Sequence, residues 1–597
     1  MDLYVQNLKS LREFDSELAE RVSKHSLSEE IEVVSSKSGF LVPQVSGVSL
    51  HSQYKPVEEA TRAIENFVFD SQRKTIVYGL GFGYHVQALL QRHSGEVIVI
   101  EPLMSLFRSF MASIDIRPFL GRVRFRVAET PACLIARLEQ GNWNIFRHMP
   151  SVRLAGNYYN RLDAGQEIKI LLNDQSLRVM IVNPVYGGSL PTAHHCASAL
   201  RSLGHEVATV DCDEFSQGFH SLKKITRNPK NSEVLSQNFM KLMGEITAAK
   251  ADDFKPDIII ALAQAPLTPE AIQKLKALKI PVVFWFVEDF RTLSYWNEIA
   301  TDYDYIFTIQ DETFHQALRD KGAQNCYYLP QACSTAIHRP LELSVESLDL
   351  YGADLSFMGA AYHNRVQSFP RLMNFDFKIW GTGWNLESPL GRLVQNDNQL
   401  VTTEETVKIY NAAKVNLNLH SSTYHYGIHP DGDFVNPRTF EIAACRGFQL
   451  VDKRTHLSRM FKLGEEMIVF DSLGQMQDQI EYYLTRPDER HAIAHKSYQR
   501  VLNEHTMEHR MQELLIHVFL DHKTILNRER ESQIDPLDYC IEKAGEQTDL
   551  GNYLKQFKGQ NPFSLKTVTE HIHKGEGALD DKETLFLMLD QLLKEEV

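Results

Sequence analysis

Short apolar runs alternate with amphipathic stretches along most of this chain. The apolar runs have the length of buried strands, and the amphipathic stretches have helical spacing. Because strands that alternate with helices form parallel sheets, this pattern predicts an α/β fold. Strands are predicted at 74–78, 96–101, 177–183, 204–210, 257–263, 281–287, 305–309, 326–329, 354–358, 376–380, 415–419, 448–452 and 467–470.

The alternation restarts twice and predicts four segments. Helical patterns and a Rossmann-like half occupy 1–170, two α/β domains of similar size occupy 177–345 and 350–525, and a charged helical tail occupies 530–597. In the third segment helices are predicted at 404–413, 437–446, 474–485 and 488–518. Two consecutive parallel sheets leave a cleft between the carboxyl ends of their strands, where open α/β sheets bind ligands.

Composition and charge narrow the class of protein. The 597 residues carry a formal net charge of −14, which disfavours general binding of nucleic acid. The longest apolar runs fall far short of the ~20 residues that a membrane-spanning helix needs. Seven scattered cysteines without a CxxC pair and a start without a signal-peptide pattern predict a cytoplasmic protein with reduced thiols.

The stretch 431–452 carries the most chemical information. Pro437 suits the first turn of a helix that stops at Gly447. The amino end of that helix offers free backbone N–H groups beside Arg438 and Thr439, which suits a diphosphate. Glu441 lies about one turn further on and is placed to accept hydrogen bonds from ribose hydroxyls.

The region from 177 to 520 resembles the glycosyltransferases of the two-domain GT-B fold, and within them the CgeB-like (spore maturation protein B-like) group. The stretches that carry the resemblance are 285–291 (WFVEDFR), 328–332 (YLPQA), 354–359 (DLSFMG), 362–365 (YHNR), 380–384 (WGTGW), 416–420 (NLNLH) and 433–441 (DFVNPRTFE). Retaining relatives carry an acidic pair with seven residues between them, as Asp433 and Glu441 have here. Arg446 stands where this motif commonly has glycine.

The resemblance implies a donor site and a catalytic cleft. It places Glu441 at the nucleotide ribose and Asp433 at the donor sugar, and it brings the glycine loop of Gly187 and Gly188 toward donor and acceptor. The donor-binding set is predicted as Asn436, Arg438, Thr439, Glu441, Gly359, Gly187 and Gly188. The catalytic set is predicted as Asp433, Glu288, Asp289 and His420, and the acceptor side as Gln264 and His194.

Glu288 and Asp289 follow the strand 281–287 at its carboxyl end. One of these carboxylates would serve as general base toward an acceptor hydroxyl if the enzyme inverts the anomeric configuration. The acidic pair Asp433 and Glu441 favours retention by analogy, so the stereochemistry stays open.

A cluster of histidines invites comparison with a metal site. His420, His425 and His429 precede Asp431 and Asp433, and imidazole and carboxylate suit zinc or iron. Their spacing places them in a loop and matches no closed coordination site. We therefore expect no metal here and a loop that lines the substrate.

A second glycine motif suggests an alternative. Gly79, Gly81 and Gly83 follow a predicted strand, and Glu101 ends the next one, an arrangement that resembles the nucleotide turn of S-adenosylmethionine methyltransferases. Methyl transfer by this segment, with the other two domains as a recognition scaffold, is one alternative. A sugar-nucleotide-binding protein without catalysis is another.

The sequence therefore predicts a glycosyltransferase. A sugar would pass from a nucleotide-diphosphate donor, with a UDP-sugar favoured, to a hydroxyl of a glycan or protein such as flagellin or a surface polysaccharide. No cofactor or metal is expected to be required, because a helix end and an arginine stabilise the leaving diphosphate.

Overall fold

A computed structural model gives the arrangement of these elements. It describes residues 2–26, 30–70, 73–138, 143–423, 425–429, 432–526, 536–559, 563–575 and 577–595. The chain divides into two compact units, Met1–Leu526 and Asn527–Val597. The seven cysteines are unpaired, and the described helices include none that is long and apolar enough to cross a membrane.

The first part of the larger unit forms a Rossmann-like domain, here named the accessory domain. Its strands are β1 (Ile31–Ser35), β2 (Leu41–Val45), β3 (Val48–Ser49), β4 (Thr75–Tyr78), β5 (Val97–Glu101), β6 (Val123–Val127) and β7 (Asn144–Arg147). Its helices are α1 (Leu3–Phe14), α2 (Ser16–Lys24), α3 (Pro56–Glu65), α4 (Tyr84–Arg92), α5 (Met104–Ser113), α6 (Pro131–Arg137), α7 (Met149–Leu154) and α8 (Gly156–Asp174).

Two sheets make up the accessory domain. The strands in the order β6-β5-β4-β7 are all parallel, as the alternation predicts. The strands β1, β2 and β3 form an antiparallel sheet that the helical reading of the first seventy residues missed. The side chains of β1 are largely exposed, so this strand lacks the continuous buried apolar run by which the parallel strands were predicted.

A six-stranded parallel sheet, the first core sheet, follows in the order β13-β12-β11-β10-β8-β9. Its strands are β8 (Arg178–Val182), β9 (Glu206–Val210), β10 (Ile258–Leu262), β11 (Val282–Phe286), β12 (Tyr305–Thr308) and β13 (Cys326–Tyr328). Its helices are α9 (Leu190–Ser202), α10 (Ser216–Ile225), α11 (Pro229–Phe254), α12 (Pro269–Ala277), α13 (Trp296–Ile299) and α14 (Thr313–Asp320). Strands β10 and β11 are buried at every residue, as expected for a sheet covered on both faces.

The second core sheet has five parallel strands in the order β15-β14-β16-β17-β18. Its elements are α15 (Val345–Tyr351), β14 (Ala353–Met358), α16 (His363–Ser368), β15 (Phe377–Trp380), α17 (Thr403–Ala412), β16 (Ala413–Asn418), α18 (Pro437–Ala444), β17 (Gln449–Asp452), β18 (Ile468–Phe470) and α19 (Leu473–Leu484). Helices α20 (Pro487–Glu504), α21 (Met507–Phe519) and α22 (Lys523–Leu526) follow it.

The single helix predicted over 488–518 is wrong, because the chain breaks between α20 and α21. The His505 ring bonds to the Met460 carbonyl at 2.9 Å, and the Thr506 hydroxyl caps the next helix. The break turns α21 back onto α6 and α9, where its apolar residues join the core of the first core sheet. The second compact unit has the helices α23 (Pro536–Ala544), α24 (Asp549–Lys555), α25 (Leu565–Lys574) and α26 (Asp581–Glu595). The segment boundaries read from the sequence stay a prediction.

Candidate functional site

The amino end of α18 lies at the carboxyl edge of the second core sheet. The helix begins at Pro437, and the Asn436 side chain caps it by accepting the Thr439 N–H at 3.1 Å. Pro437 has no N–H and Thr439 is capped, so Arg438 supplies the free backbone donor of this turn. The Arg438 atom Nη1 is buried without a hydrogen-bond partner in the structure. Together with the helix end beside it, this buried unpaired donor on a cation is suited to an anionic ligand.

A second guanidinium, which the sequence analysis did not select, lies beside Arg438. Arg365 is buried and donates to the backbone carbonyls of Leu419 and Ala360. Burial and the neighbouring Arg438 hold the pKa of Arg365 well below its ordinary value. Gly359, with φ +152°, makes room for this head group, because a Cβ there would lie 3.2 Å from Arg365 Nη1. The stretch 362–365 was the sequence signal for this arginine.

Glu441 lies in a buried polar cluster between the two core sheets. Its carboxylate accepts from the Tyr410 hydroxyl at 3.4 Å and lies 4.0 Å from His338 Nε2. The His338 ring packs edge-on against His195 of α9, with centroids 5.2 Å apart. Burial raises the pKa of Glu441, and the nearby His195 and Arg438 oppose that shift.

Asp433 joins the two core sheets across the cleft. Arg291, from the loop after β11, donates to both of its carboxylate oxygens at 3.2 and 2.9 Å. Gln310, from the loop after β12, donates to Asp433 at 2.8 Å and to Asp289 at 3.3 Å. Asp289 also accepts the Arg291 N–H at 3.0 Å. Asp433 and Asp289, two of the three carboxylates predicted as catalytic, are therefore engaged within the protein, and Arg291 and Gln310 are cleft residues that the predicted site did not include.

Gln264, predicted for the acceptor side, lies at the end of β10 against the glycine loop of Gly187. Gln264 has a strained backbone with φ +67°, and its N–H donates to the Tyr295 hydroxyl at 2.7 Å. Its Oε1 is buried without a hydrogen-bond partner among the described residues and would lie 2.3 Å from a Cβ on Gly187, whose φ of +109° favours glycine. The Glu288 carboxylate lies close enough to Tyr295 to help raise the pKa of the Tyr295 hydroxyl. Burial, and to a smaller extent the neighbouring charge of Asp289, raises the pKa of Glu288 to about 7. Gly188 borders open space, and His194 is exposed on α9.

His420 was predicted as catalytic, and the structure corrects this reading. Its side chain has no exposed surface, and both ring nitrogens are bonded within the protein, to Asp452 and to Asn436. The side chains of Asn436 and Thr439 are also buried and bonded to each other and to Asn418. These residues shape the amino end of α18 from beneath it, and their side chains are not placed to touch a donor.

Within the described part of the loop, His425 and His429 form no metal-binding group with His420. His425 and His429 pack ring to ring at 4.0 Å, and His425 pairs with the Ser422 hydroxyl at 3.1 Å. Asp431 lies outside the described residues. Among those that are described, the group whose ligand atoms lie close enough for a metal is His51, His85 and His148 in the accessory domain.

This accessory histidine cluster is bonded to the glycine turn. His51 Nε2 accepts the Phe82 N–H at 2.9 Å, and His85 Nε2 pairs with the Gly79 carbonyl at 2.9 Å. The rings of His85 and His148 stack within 8° of parallel at 4.2 Å, so their lone pairs do not converge on one point. We interpret the cluster as packing that holds the turn.

The turn itself is filled by the protein. Gly79, Gly81 and Gly83 all have positive φ, as their spacing suggests. Cβ atoms at Gly79 and Gly81 would lie 2.2 Å from Ser151 Cβ and 2.4 Å from His51 Nε2. Glu101 accepts the N–H groups of Leu80 and Leu103, both at 3.0 Å. Side chains therefore lie directly against Gly79 and Gly81, which favours a structural role for this motif.

Comparisons with known proteins find similarity that includes the second core sheet. Residues 363–516, which span most of the second core sheet and the helices after it, match the family described as "Glycosyl transferase-like". The chain is similar to spore protein CgeB of Bacillus subtilis (strain 168), 26% identical over 272 residues that make up 43% of this chain and 82% of that protein. The predicted resemblance to the CgeB-like group is thereby confirmed.

Solved structures were also compared. A glycosyltransferase from Rickettsia africae ESF-5 aligns with a TM-score of 0.39 and 14% identity over 60% of this chain and all of the other. Anabaena Alr3699/HepE, solved in complex with UDP and glucose, aligns with a TM-score of 0.38 and 9% identity over 58% of this chain and 99% of the other.

Proposed function

We propose that this protein transfers a sugar from a nucleotide-diphosphate donor, a UDP-sugar being the first to test, to a hydroxyl of a glycan or protein. The observation that carries the proposal is the buried, unpartnered Nη1 of Arg438 at the amino end of α18. Arg365 adds a second guanidinium, which donates to the backbone carbonyls of Leu419 and Ala360 and has no carboxylate partner among the described residues. Two adjacent cations and a helix end favour the two negative charges of a leaving diphosphate.

The donor would lie along α18. The diphosphate accepts hydrogen bonds from the Arg438 backbone N–H and guanidinium. The ribose hydroxyls donate to the Glu441 carboxylate, which also accepts from the Tyr410 hydroxyl at 3.4 Å. Asp433 borders the sugar, and its ion pair with Arg291 connects this side of the site to the first core sheet. Because Arg365 and Arg438 neutralise the diphosphate, the proposal needs no metal.

Glu288 is the proposed general base toward the acceptor hydroxyl. Its pKa of about 7 suits proton abstraction near neutral pH, and the Oε1 of Gln264 offers an unused acceptor for the same hydroxyl. Asp433 is bound by Arg291 and Gln310 and is a poor nucleophile in that state. These contacts support inversion of configuration over the retention that the acidic pair suggests.

A cytoplasmic location, and flagellin or a surface polysaccharide as acceptor, remain part of the proposal.

The decisive experiment compares the loss of an arginine at the amino end of α18 with the loss of one just beyond its carboxyl end. Arg438→Ala should weaken UDP binding by about 10- to 100-fold, the loss of one or two charge-assisted hydrogen bonds. Release of UDP from UDP-sugars should fall in parallel. Arg446→Ala at the opposite end of α18 serves as the matched control and should leave both unchanged. Equal UDP affinity in the two variants, measured by calorimetry, would contradict the proposed donor site.

A further inference from the structure

Beneath the amino end of α18 lies a buried chain of hydrogen bonds that does not reach the cleft. The His420 Nδ1 donates to Asp452 Oδ1 at 2.6 Å, and the His420 backbone N–H donates to the same oxygen at 2.8 Å. Arg454 donates to Asp452 Oδ2 at 3.0 and 2.6 Å. His420 and Asp452 have no exposed side-chain surface, so the chain is sealed from solvent.

These bonds settle which nitrogen of His420 carries the proton. The Asn436 backbone N–H points at His420 Nε2 at 3.0 Å, so Nε2 must accept. Asp452 can only accept, so Nδ1 must donate. Burial holds the pKa of His420 at about 4, which keeps the ring neutral in this tautomer. Asp452 therefore orients the imidazole, and the imidazole fixes one backbone amide.

The amide that His420 fixes belongs to the cap residue of α18. Asn436 sets where the helix begins, because its Oδ1 accepts the Thr439 N–H at 3.1 Å. Its own Nδ2 donates to Asn418 at 2.8 Å. Arg438 lies two residues further on, so a shift of Asn436 moves the free N–H and the guanidinium of Arg438 together.

We propose that His420 is a positioning residue for donor binding, which holds the Asn436 amide so that Arg438 meets the donor diphosphate. This inference rests on the proposed function. It assigns no contact with substrate to His420, whose side chain is buried. It predicts that loss of the imidazole acceptor weakens donor affinity more than loss of stability alone would.

Two substitutions separate positioning from packing. His420→Ala removes the acceptor, whereas His420→Gln keeps an amide oxygen near Nε2 and an N–H₂ group that can donate. The probe is whichever of UDP, GDP, ADP and dTDP binds the wild-type chain most tightly. His420→Ala should raise its Kd about tenfold and His420→Gln less than about threefold, whereas both should lower the melting temperature. His491→Gln, on exposed α20 surface, is the control and should change neither.

Hydrogen exchange supplies a second measurement without ligand. Amides in the segment 434–445 should exchange faster in His420→Ala than in His420→Gln, because the Asn436 amide loses its acceptor only in the first. Affinities that fall equally in both variants, in step with stability, would overturn the positioning role. If the wild-type chain binds none of the four nucleotides, the proposed function itself fails; binding by wild type with no difference between the variants refutes only the role of His420.

Discussion

Two glycine-bearing turns at the carboxyl ends of parallel strands differ in how their polar groups are used. In the accessory turn, Glu101 accepts two backbone N–H groups and Ser151 and His51 fill the space over Gly79 and Gly81. At the second core sheet, Gly359 makes room for Arg365, and the neighbouring Arg438 keeps an unpaired buried donor. The fold motif is the same, but the first turn is packed against neighbouring side chains, whereas the second places two guanidinium groups next to each other.

Two buried carboxyl groups, one in the accessory turn and one at the cleft, also differ in their hydrogen-bond partners. Burial raises the pKa of Glu101 to about 7, and burial raises that of Glu288 to the same value. Glu101 is held by two backbone donors in its own turn, whereas Glu288 borders the cleft beside Tyr295. A perturbed pKa therefore does not mark a site by itself, and the partners of the carboxyl group decide its role.

The largest effect that would test this comparison is on turnover. Glu288→Gln should reduce release of UDP from the UDP-sugar by about 100-fold or more, the usual contribution of a general base. Because Glu288 has a raised pKa of about 7, its carboxylate form is lost as pH falls, so the wild-type rate should decline below about pH 7. Initial rates between pH 5.5 and pH 8.5, about 1.5 units either side of that value, measure this.

Glu101→Gln is the matched control for Glu288→Gln. Its carboxyl group has a similar pKa but lies in the accessory turn, so the pH profile of turnover should be unchanged. A wild-type rate that instead rises on acidification would show that Glu288 does not act as a base.

The next effect is on stability and is confined to the accessory turn. Gly79→Ala should destabilise the accessory domain by about 3 kcal/mol, because a positive φ adds strain and the new Cβ overlaps Ser151 Cβ at 2.2 Å. UDP affinity should stay at the wild-type value. Urea unfolding read out by hydrogen exchange in the accessory strands measures the loss.

Gly39→Ala supplies the control for that overlap. Gly39 also has a positive φ, +85°, but its Cβ would have nothing within 4 Å, so only backbone strain of about 1 kcal/mol should remain. Equal losses at Gly79 and Gly39 would show that the accessory turn is not packed shut. A loss of UDP affinity in Gly79→Ala would show that it takes part in donor binding.

Local pattern predicted much of this comparison from the sequence. Continuous apolar runs located the parallel strands, and Pro437 and Gly447 located α18 within a few residues. What could not be predicted were partners distant in the chain. Asp433 pairs with Arg291 and Gln310, 142 and 123 residues away, and no local spacing encodes such a pair.

Burial was the second unpredictable property. His420, Asn436 and Thr439 belong to residue types that bind substrates, yet all three side chains are buried and bonded within the protein. Arg365 shows the reverse, since the sequence located its motif without indicating that its head group would lie beside Arg438. Which polar groups are left without a partner, and which cations lie side by side, depends on tertiary packing and cannot be read from local spacing.

The smallest expected effect concerns the far end of α18, where a glycine is common and this chain has Arg446. Arg446 adopts φ +57°, and the bonds from the N–H groups of Arg446 to Ala443 and of Gly447 to Ile442 close the helix. A side chain in this left-handed position is strained, so Arg446→Gly should stabilise the second core sheet by about 0.5–1 kcal/mol. Thermal unfolding measures the gain, and UDP affinity should not change. A lower melting temperature would mean that the contacts of the Arg446 side chain stabilise the protein by more than the backbone strain costs. A change in UDP affinity would mean that the two ends of α18 are coupled and that the donor site extends beyond the turn at Arg438.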